Sequence, residues 1–407
     1  ESEKFYVGKI NILGNNITRE EVIRNNLLVD EGDAFNELLQ TRTLNNLKSL
    51  NFFRTVEAEI LDIENENKKI INITVEEKPT GEIMAGAGVG TSGGTVAFGV
   101  SENNFLGRGI EFATNINVSE ESLRGLISLS NPNYKGSNRS LNASLESTVT
   151  DRLTNFGYKS NKTGFSIGSG FEFYDDLYWN TGISSYIEKL DTDNTASASM
   201  KKQEGSYFDT FYNHTFSYDK RNQKYQASDG YISRFTQNIP LISESYTLTN
   251  IYDYKIYNEW LDENVFSIGF FGKTTNSLSG KDVKLSDRLY LPASKLRGFE
   301  SGKVGPKDGN DYIGGNYAAS INIATTLPQI LPNLQNTNFS IFFDVANIWG
   351  IDYDSALNDE SKIRSSVGIS VDLLTPVGPL NFSLSEPITK GNNDITESFR
   401  FDIGTTF

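Results

Sequence analysis

The 407-residue chain has no cysteine and a single histidine, His214. Disulfide scaffolds, thiolate-bound zinc and thiol catalysis are thereby excluded, and little is left from which a histidine metal site could be built. Basic side chains are scarce too, with 37 Lys and Arg against 52 Asp and Glu and a formal net charge of −15. That balance argues against a nucleic-acid partner bound through a basic face. No run of about 18 apolar residues occurs, which removes a spanning helix but leaves open spanning strands of about 9–11 residues. No charged-then-apolar leader opens the chain at Glu1, so any such segment is expected to have been removed. Proline is rare at 10 residues, whereas glycine numbers 35 and aromatics make up 12%. The composition is that of a turn-rich, aromatic chain that folds.

Residues 1–79 read as a small α/β domain. Phe5 to Leu13 alternates and ends at Gly14-Asn15, a strand running into a turn. Thr18 with Glu21 three residues on predicts a capping box, followed by the apolar pair Val22 and Ile23. From Asn36 to Leu50 the positions Leu39, Thr43, Leu44, Leu47 and Leu50 recur at helical spacing, so a second helix with one buried face is expected. Phe53 to Leu61 and Lys69 to Val75 alternate as two further strands. The order is β-α-α-β-β. With the Gly14-Asn15 turn, Phe52-Phe53 and the closing Glu76-Glu77-Lys78-Pro79, it resembles a POTRA domain, the periplasmic module of outer-membrane assembly and transport proteins. Such a module either takes an extended segment of another chain on a free strand edge or only spaces and orients its neighbour.

From Thr80 to Phe407 the pattern changes to about sixteen short alternating segments separated by Gly, Asn, Asp and Ser. Ile110, Phe112, Thr114, Ile116 and Val118 fall on one side; Glu111, Ala113, Asn115 and Asn117 fall on the other. One face meeting lipid and the other an aqueous lumen produces this pattern. In Phe339 to Ala346 the outward set is Phe339, Ile341, Phe343 and Val345, and at the end Arg400 and Asp402 point inward. A soluble sandwich also alternates, but this many strands would need a second domain, and no linker divides them. An all-β transmembrane barrel of about 16 antiparallel strands is therefore expected over 80–407, after one POTRA domain. The longest connections, 151–162, 190–206 and 276–314, each follow an odd-numbered strand and so emerge on one side, the exterior of a bacterial barrel. The amino-terminal domain is then expected in the periplasm.

Several motif matches carry no chemistry. Gly90-Thr91-Ser92-Gly93-Gly94 and Gly164-Phe165-Ser166-Ile167-Gly168 satisfy G-x-S-x-G, but no helix follows either, and His214 lies in an aromatic strand. Gly86 to Gly90 lies inside an alternating strand with no helix to add its dipole, so it is not a phosphate loop. Asp191-Thr192-Asp193-Asn194 lacks the later Gly and Glu of an EF-hand. No metal, cofactor or catalytic residue is expected.

Three features are more specific. Lys295-Leu296-Arg297-Gly298-Phe299-Glu300, then Val304-Gly305-Pro306, resembles the R-G-F loop of the BamA-type assembly factors and their transporter relatives. The resemblance implies a loop folded back into the lumen, with Arg297, Gly298 and Phe299 as its lock, Asp344 as the matching acidic partner and Asp372 as a second candidate. A guanidinium in a partly dry lumen needs such a carboxylate. The chain ends Phe399-Arg400-Phe401-Asp402-Ile403-Gly404, then Phe407, which is similar to that family's terminal sorting signal. The first barrel strand, Glu82 to Gly90, sets Ile83, Ala85, Ala87 and Val89 on one face and Gly86, Gly88 and Gly90 on the other. Glycine weakens packing and register, so the ring should be weakest here, unless the small residues only make room for the loop.

The resemblance covers nearly the whole chain and includes Asn103 to Gly109, Ser228-Asp229-Gly230-Tyr231 and Thr375-Pro376-Val377-Gly378-Pro379-Leu380. The family's assembly members usually carry several POTRA modules where this chain has one, which suggests an amino-terminal truncation or a shorter relative. It implies an outer-membrane insertase and not an enzyme. Nascent outer-membrane barrel proteins would pair with a lateral gate whose sides are Ile83 to Val89 and Phe399 to Phe407. Accessory lipoproteins would bind the POTRA module, and the surrounding lipid would receive the product. A secretion pore of the same superfamily and a passive porin are the alternatives.

Overall fold

The computed structural model describes residues 4–63, 66–224, 226–261, 264–327, 337–359, 361–375 and 378–404. They form two compact units: residues 1–84, 99–114 and 127–142, and residues 85–98, 115–126 and 143–407.

In the first unit, β1 (Tyr6–Leu13), α1 (Glu20–Arg24), α2 (Glu37–Ser49), β2 (Phe53–Asp62) and β3 (Lys68–Glu77) follow in the expected order. β3 lies centrally, parallel to β1 and antiparallel to β2. Every second residue of β3, Ile71, Ile73 and Val75, is buried against Leu47 of α2, Ile23 of α1 and Phe53 and Val56 of β2. Asn36 caps α2, its side chain accepting from Leu38 N at 2.9 Å and Leu39 N at 3.2 Å. The capping box expected at Thr18 and Glu21 does not form. α1 starts one residue later with Arg19 as an uncapped N-cap, because Thr18 Oγ1 is taken by Asn104 Nδ2 at 2.8 Å. Asn104 Oδ1 in turn accepts from Gly109 N at 2.8 Å, and Arg19 N donates to Gly107 O at 2.8 Å. The Asn103–Gly109 motif is thus the turn onto which the α1 approach is fastened.

The barrel strands are β4 (Gly81–Gly90), β5 (Gly93–Phe105), β6 (Ile110–Ser119), β7 (Ser122–Asn131) and β8 (Arg139–Arg152). They continue as β9 (Tyr158–Tyr174), β10 (Leu177–Thr192), β11 (Gly205–Asp219), β12 (Gly230–Ile242), β13 (Thr247–Leu261) and β14 (Asn264–Ser277). A short hairpin, β15 (Lys307–Asp308) with β16 (Asp311–Tyr312), interrupts the series. The wall resumes with β17 (Tyr317–Thr326), β18 (Thr337–Trp349), β19 (Arg364–Thr375), β20 (Gly378–Thr389) and β21 (Phe399–Gly404). Sixteen of these strands close into one antiparallel barrel in which β21 returns to β4. No helix among the described residues is long and apolar enough to cross a membrane. The strands are the crossing elements, and their outward residues explain how. Ile83, Val89, Ile116, Val118, Ile341, Phe343 and Ile369 are all exposed, an apolar exterior that suits lipid and not water.

The connection expected over 151–162 is much shorter. β8 runs to Arg152 and β9 begins at Tyr158, joined by one turn of helix, α3 (Leu153–Phe156), and a left-handed Gly157. The connection after β10 holds another helical turn, α4 (Ala198–Lys201), and the longest one spans 278–316. Residues 350–363, between β18 and β19, form a further long connection on the same side that sequence periodicity did not single out.

Candidate functional site

From Val283 on, most of the 278–316 loop turns back from solvent. Leu289, Leu291, Leu296, Phe299 and Val304 are buried with Phe271, Ala318, Ala346 and Ile348 of the inner wall, so part of the lumen is an apolar core. Ionic contacts fix it at several points. Arg297 meets Asp344 of β18 in a fork, Nε to Oδ2 at 2.7 Å and Nη2 to Oδ1 at 2.8 Å, and its backbone N–H adds a bond to Oδ2 at 3.1 Å. Asn322 Nδ2 completes the carboxylate's shell at 2.8 Å. Asp344 is fully buried, so removing its partner would leave a charge without water, at a cost of about 3–5 kcal/mol. The guanidinium also lies 3.4 Å from the centroid of the Phe342 ring. That ring fits only because Gly368 faces it on β19, where a Cβ would sit 2.5 Å from Phe342 Cζ. Asp372 does not join the lock. Among the described residues it makes no hydrogen bond to Arg297, but lines with it a cavity of about 1340 Å³ that also reaches Arg400 and Asp402.

Two anchors escaped sequence reasoning. Arg364, at the start of β19, forks onto Asp394 at 2.8 and 3.1 Å, with both side chains fully buried. Asp394 also accepts from Gly305 N at 3.1 Å, which ties the loop to the β20–β21 connection. Lys284, almost wholly buried, reaches Asp209 Oδ2 at 2.6 Å and Glu188 Oε2 at 2.9 Å on two neighbouring strands, with Asp287 at 3.6 Å. Burial alone would lower the Lys284 pKa, but Asp287, Glu188 and Asp209 carry it well above the ordinary lysine value. The signal available in sequence was a charged residue at an inward strand position, but the partners lie 30, 75 and 96 residues away.

Ile83, Ala85, Ala87 and Val89 face outward and Gly86 and Gly88 inward, as the alternation requires. Phe399, Phe401, Ile403 and Gly404 lie on β21, with the Phe399 and Phe401 rings stacked at 6.1 Å. Phe407 lies outside the described residues, as do Pro376 and Val377. Among the described residues the two strands meet at three register positions: Asp402 with Gly90, Ile403 with Val89 and Gly404 with Gly88. One more bond, Thr91 N to Phe401 O at 3.0 Å, extends the contact. Among the described residues, Ile83 to Ala87 have no partner on β21. Gly90 is needed for the close approach: a Cβ there would lie 2.3 Å from Asp402 Oδ1 and 2.7 Å from Phe401 O.

In the first unit, Glu77 at the end of β3 accepts from Asn16 N and Ile17 N at 2.9 Å and from Thr18 N at 2.6 Å. Slight burial works against its charge, but bonds from Thr18, Ile17 and Asn16 outweigh it and hold Glu77 below its ordinary value of 4.5. The outer edge of β1 is covered by residues 32–35 through Gly32 N to Val7 O and Val7 N to Asp33 O. The outer edge of β2 has no such cover among the described residues, and Ile60 and Leu61 beside it are exposed.

A closed ring with an apolar exterior, a loop folded onto its inner wall and a β-α-α-β-β module before it define a transmembrane barrel of the outer membrane. More particularly, the chain belongs to the Omp85 superfamily. The model described as the Omp85 superfamily domain matches residues 104–407, and the POTRA model, described as a surface antigen variable number repeat, matches residues 5–78. The chain is 25% identical to the outer membrane protein assembly factor BamA of Neisseria meningitidis, covering 99% of this chain and 57% of that protein. It is 24% identical to BamA of Neorickettsia risticii, covering 100% of this chain and 56% of that one. It thus spans a little over half the length of these curated relatives. The fold matches the crystal structure of BamA from Haemophilus ducreyi lacking POTRA domains 1-3 with a TM-score of 0.91 at 24% identity, covering 100% of this chain and 85% of that one.

Proposed function

We propose that this chain is the membrane part of a non-enzymatic factor that inserts nascent β-barrel proteins into the outer membrane, with the β4–β21 seam as its lateral gate. The observation that carries this reading is the seam itself, where among the described residues Asp402 to Gly404 pair with Gly88 to Gly90 and Gly86, Gly88 and Gly90 leave the inner face of β4 without side chains to pack. A strand edge in lipid with unmet N–H and C=O groups is costly, and an incoming strand that pairs with it removes the cost on both sides. Substrate burial in lipid then supplies the driving energy, and no nucleotide is required. The name that the two relatives share, outer membrane protein assembly factor, supports the same reading. The POTRA module would lie in the periplasm, opposite the long connections, and the open edge of β2 would receive an accessory lipoprotein or an arriving chain by strand addition.

The absence of cysteine makes the test direct. Single cysteines along Ile83 to Val89 of the full-length protein, with its native partners, are combined with single cysteines in the terminal strand of a stalled barrel substrate. A ladder of disulfides that follows one register is expected. Full assembly of substrate with no cross-link at any register would overturn the gate. Export of an unfolded chain through the lumen, or steady ion conductance of the isolated barrel, would instead favour a secretion pore or a porin.

A further inference from the structure

Resting on the gate reading, we propose that Glu397 and Arg400 form a side-chain relay through which the internal loop holds the seam closed, with Arg400 as the positioning residue. The path can be followed atom by atom. Arg297 is fixed to the wall by Asp344. The next residues of the loop pair as a short strand with the segment just before β21: Glu397 N donates to Gly298 O at 3.0 Å, Phe299 bridges Thr396, and Glu300 N donates to Ile395 O at 3.0 Å. Ile395 N closes the pairing on Lys303 O at 3.1 Å. The loop therefore sets where Glu397 stands.

The Glu397 carboxylate receives Arg400 Nη1 at 3.2 Å, while Arg400 Nε reaches Asp402 Oδ2 at 3.1 Å. The third arm of the guanidinium, Nη2, crosses the seam to Ser92 Oγ at 2.8 Å, in the turn between β4 and β5. Ser92 is where the register Asp402–Gly90 would next place a partner for Arg400, so the side chain continues a ladder that the backbone has stopped making. Lysine could not do this, because one ammonium does not span two carboxylates and a hydroxyl in a plane. Arg400 and Glu397 are both less than one-fifth exposed, so water screens the relay only in part. A loop that leaves Asp344 withdraws Glu397 and lets Arg400 swing from Ser92; a loop that stays keeps both in place.

A contiguous chain of contacts becomes coupling only when the two ends respond to one another. The test uses the full-length protein folded in lipid bilayers, with Val89→Cys and Ile403→Cys as a reporter pair whose initial disulfide rate reads the closed seam. Arg400→Gln, and separately Ser92→Ala from the other strand, should slow that rate about three- to tenfold, as expected for losing one charge-assisted bond. Arg297→Ala should slow it similarly, and Arg297→Ala with Arg400→Gln no further than the slower single change, since both cut one path. An unchanged rate in both Arg400→Gln and Ser92→Ala, or slowdowns that multiply in the double variant, would overturn the relay. Ser92→Ala keeps the test alive should Arg400→Gln fail to fold. Assembly of a barrel substrate is followed in the same variants. A slowed seam with substrate register ladders absent leaves the relay and removes the insertase. Ladders present with an indifferent seam do the reverse.

Discussion

Along β9 and β10 the wall pairs over its whole length: from Leu177 opposite Tyr174, past one shift at Tyr178, the register runs unbroken to Thr192 opposite Tyr158. Where β21 meets β4 the register among the described residues covers Asp402 to Gly404. The side chains differ in the same sense. Trp179 in the wall stacks on Phe216 of the next strand at 5.7 Å, whereas the seam sets glycines at positions 86, 88 and 90 on its inner face. One closed sheet thus contains a stretch densely packed across its strands and a stretch lined by glycine. The contrast teaches that closure does not distribute strain evenly. On the proposed gate reading, opening would begin where cross-strand packing is smallest.

The comparison can be broken most severely at the loop anchors. Arg364→Ala leaves Asp394 buried and unpaired, and a loss of about 3–5 kcal/mol is expected, read as a large drop in the temperature at which the folded barrel loses its fast gel mobility. Asp344→Asn should cost less, about 2–3 kcal/mol, because no buried charge is left on β18 and the one amide oxygen still accepts from either Asn322 Nδ2 or the Arg297 amide, though not from both. Gly90→Ala acts at the seam alone. Its Cβ would collide with Asp402, so the Val89–Ile403 disulfide should form several times more slowly while the melting temperature barely moves, with a local overpacking cost of about 1–3 kcal/mol. A fall in melting temperature as large as that of Arg364→Ala would mean the seam is part of the rigid wall after all.

The smallest effect is expected in the first unit. Glu77 has a folded pKa below its ordinary value, so its contribution is present above that value and is lost as pH falls through the lower, folded one. Amides of Asn16, Ile17 and Thr18 should keep their protection from exchange at neutral pH, lose it only below pH 4.5, and be partly deprotected at every pH in Glu77→Gln, whose single carbonyl oxygen cannot meet all three. Hydrogen exchange, corrected for the intrinsic pH dependence, separates the outcomes; full protection in Glu77→Gln would assign the hold to the Asn104 contact instead.

Parity made much of this legible beforehand. Counting outward from Phe339, Ile341, Phe343 and Val345 puts Asp344 inside, which is where it lies. The same count puts Phe342, Ala346 and Ile348 inside, yet nothing in their spacing says that a loop will cover them. Periodicity reports which way a side chain points but not what arrives from elsewhere in the chain. For that reason Arg364 with Asp394, and Lys284 with Glu188 and Asp209, were invisible. Thr18 was misread for a related reason: a local cap was available, but Asn104, 86 residues on, competes for its hydroxyl and wins.

The seam also has a consequence for how the protein itself is made. Ser92 and Arg400 are separated by 308 residues, so the contact that closes the ring joins the earliest barrel strand to the last one synthesised. Such a pairing has the highest contact order in the sheet and meets the largest loop-closure entropy. Closure should therefore be the slow and final step of this barrel's biogenesis. Until then the growing chain presents two bare edges, each a row of unmet N–H and C=O groups.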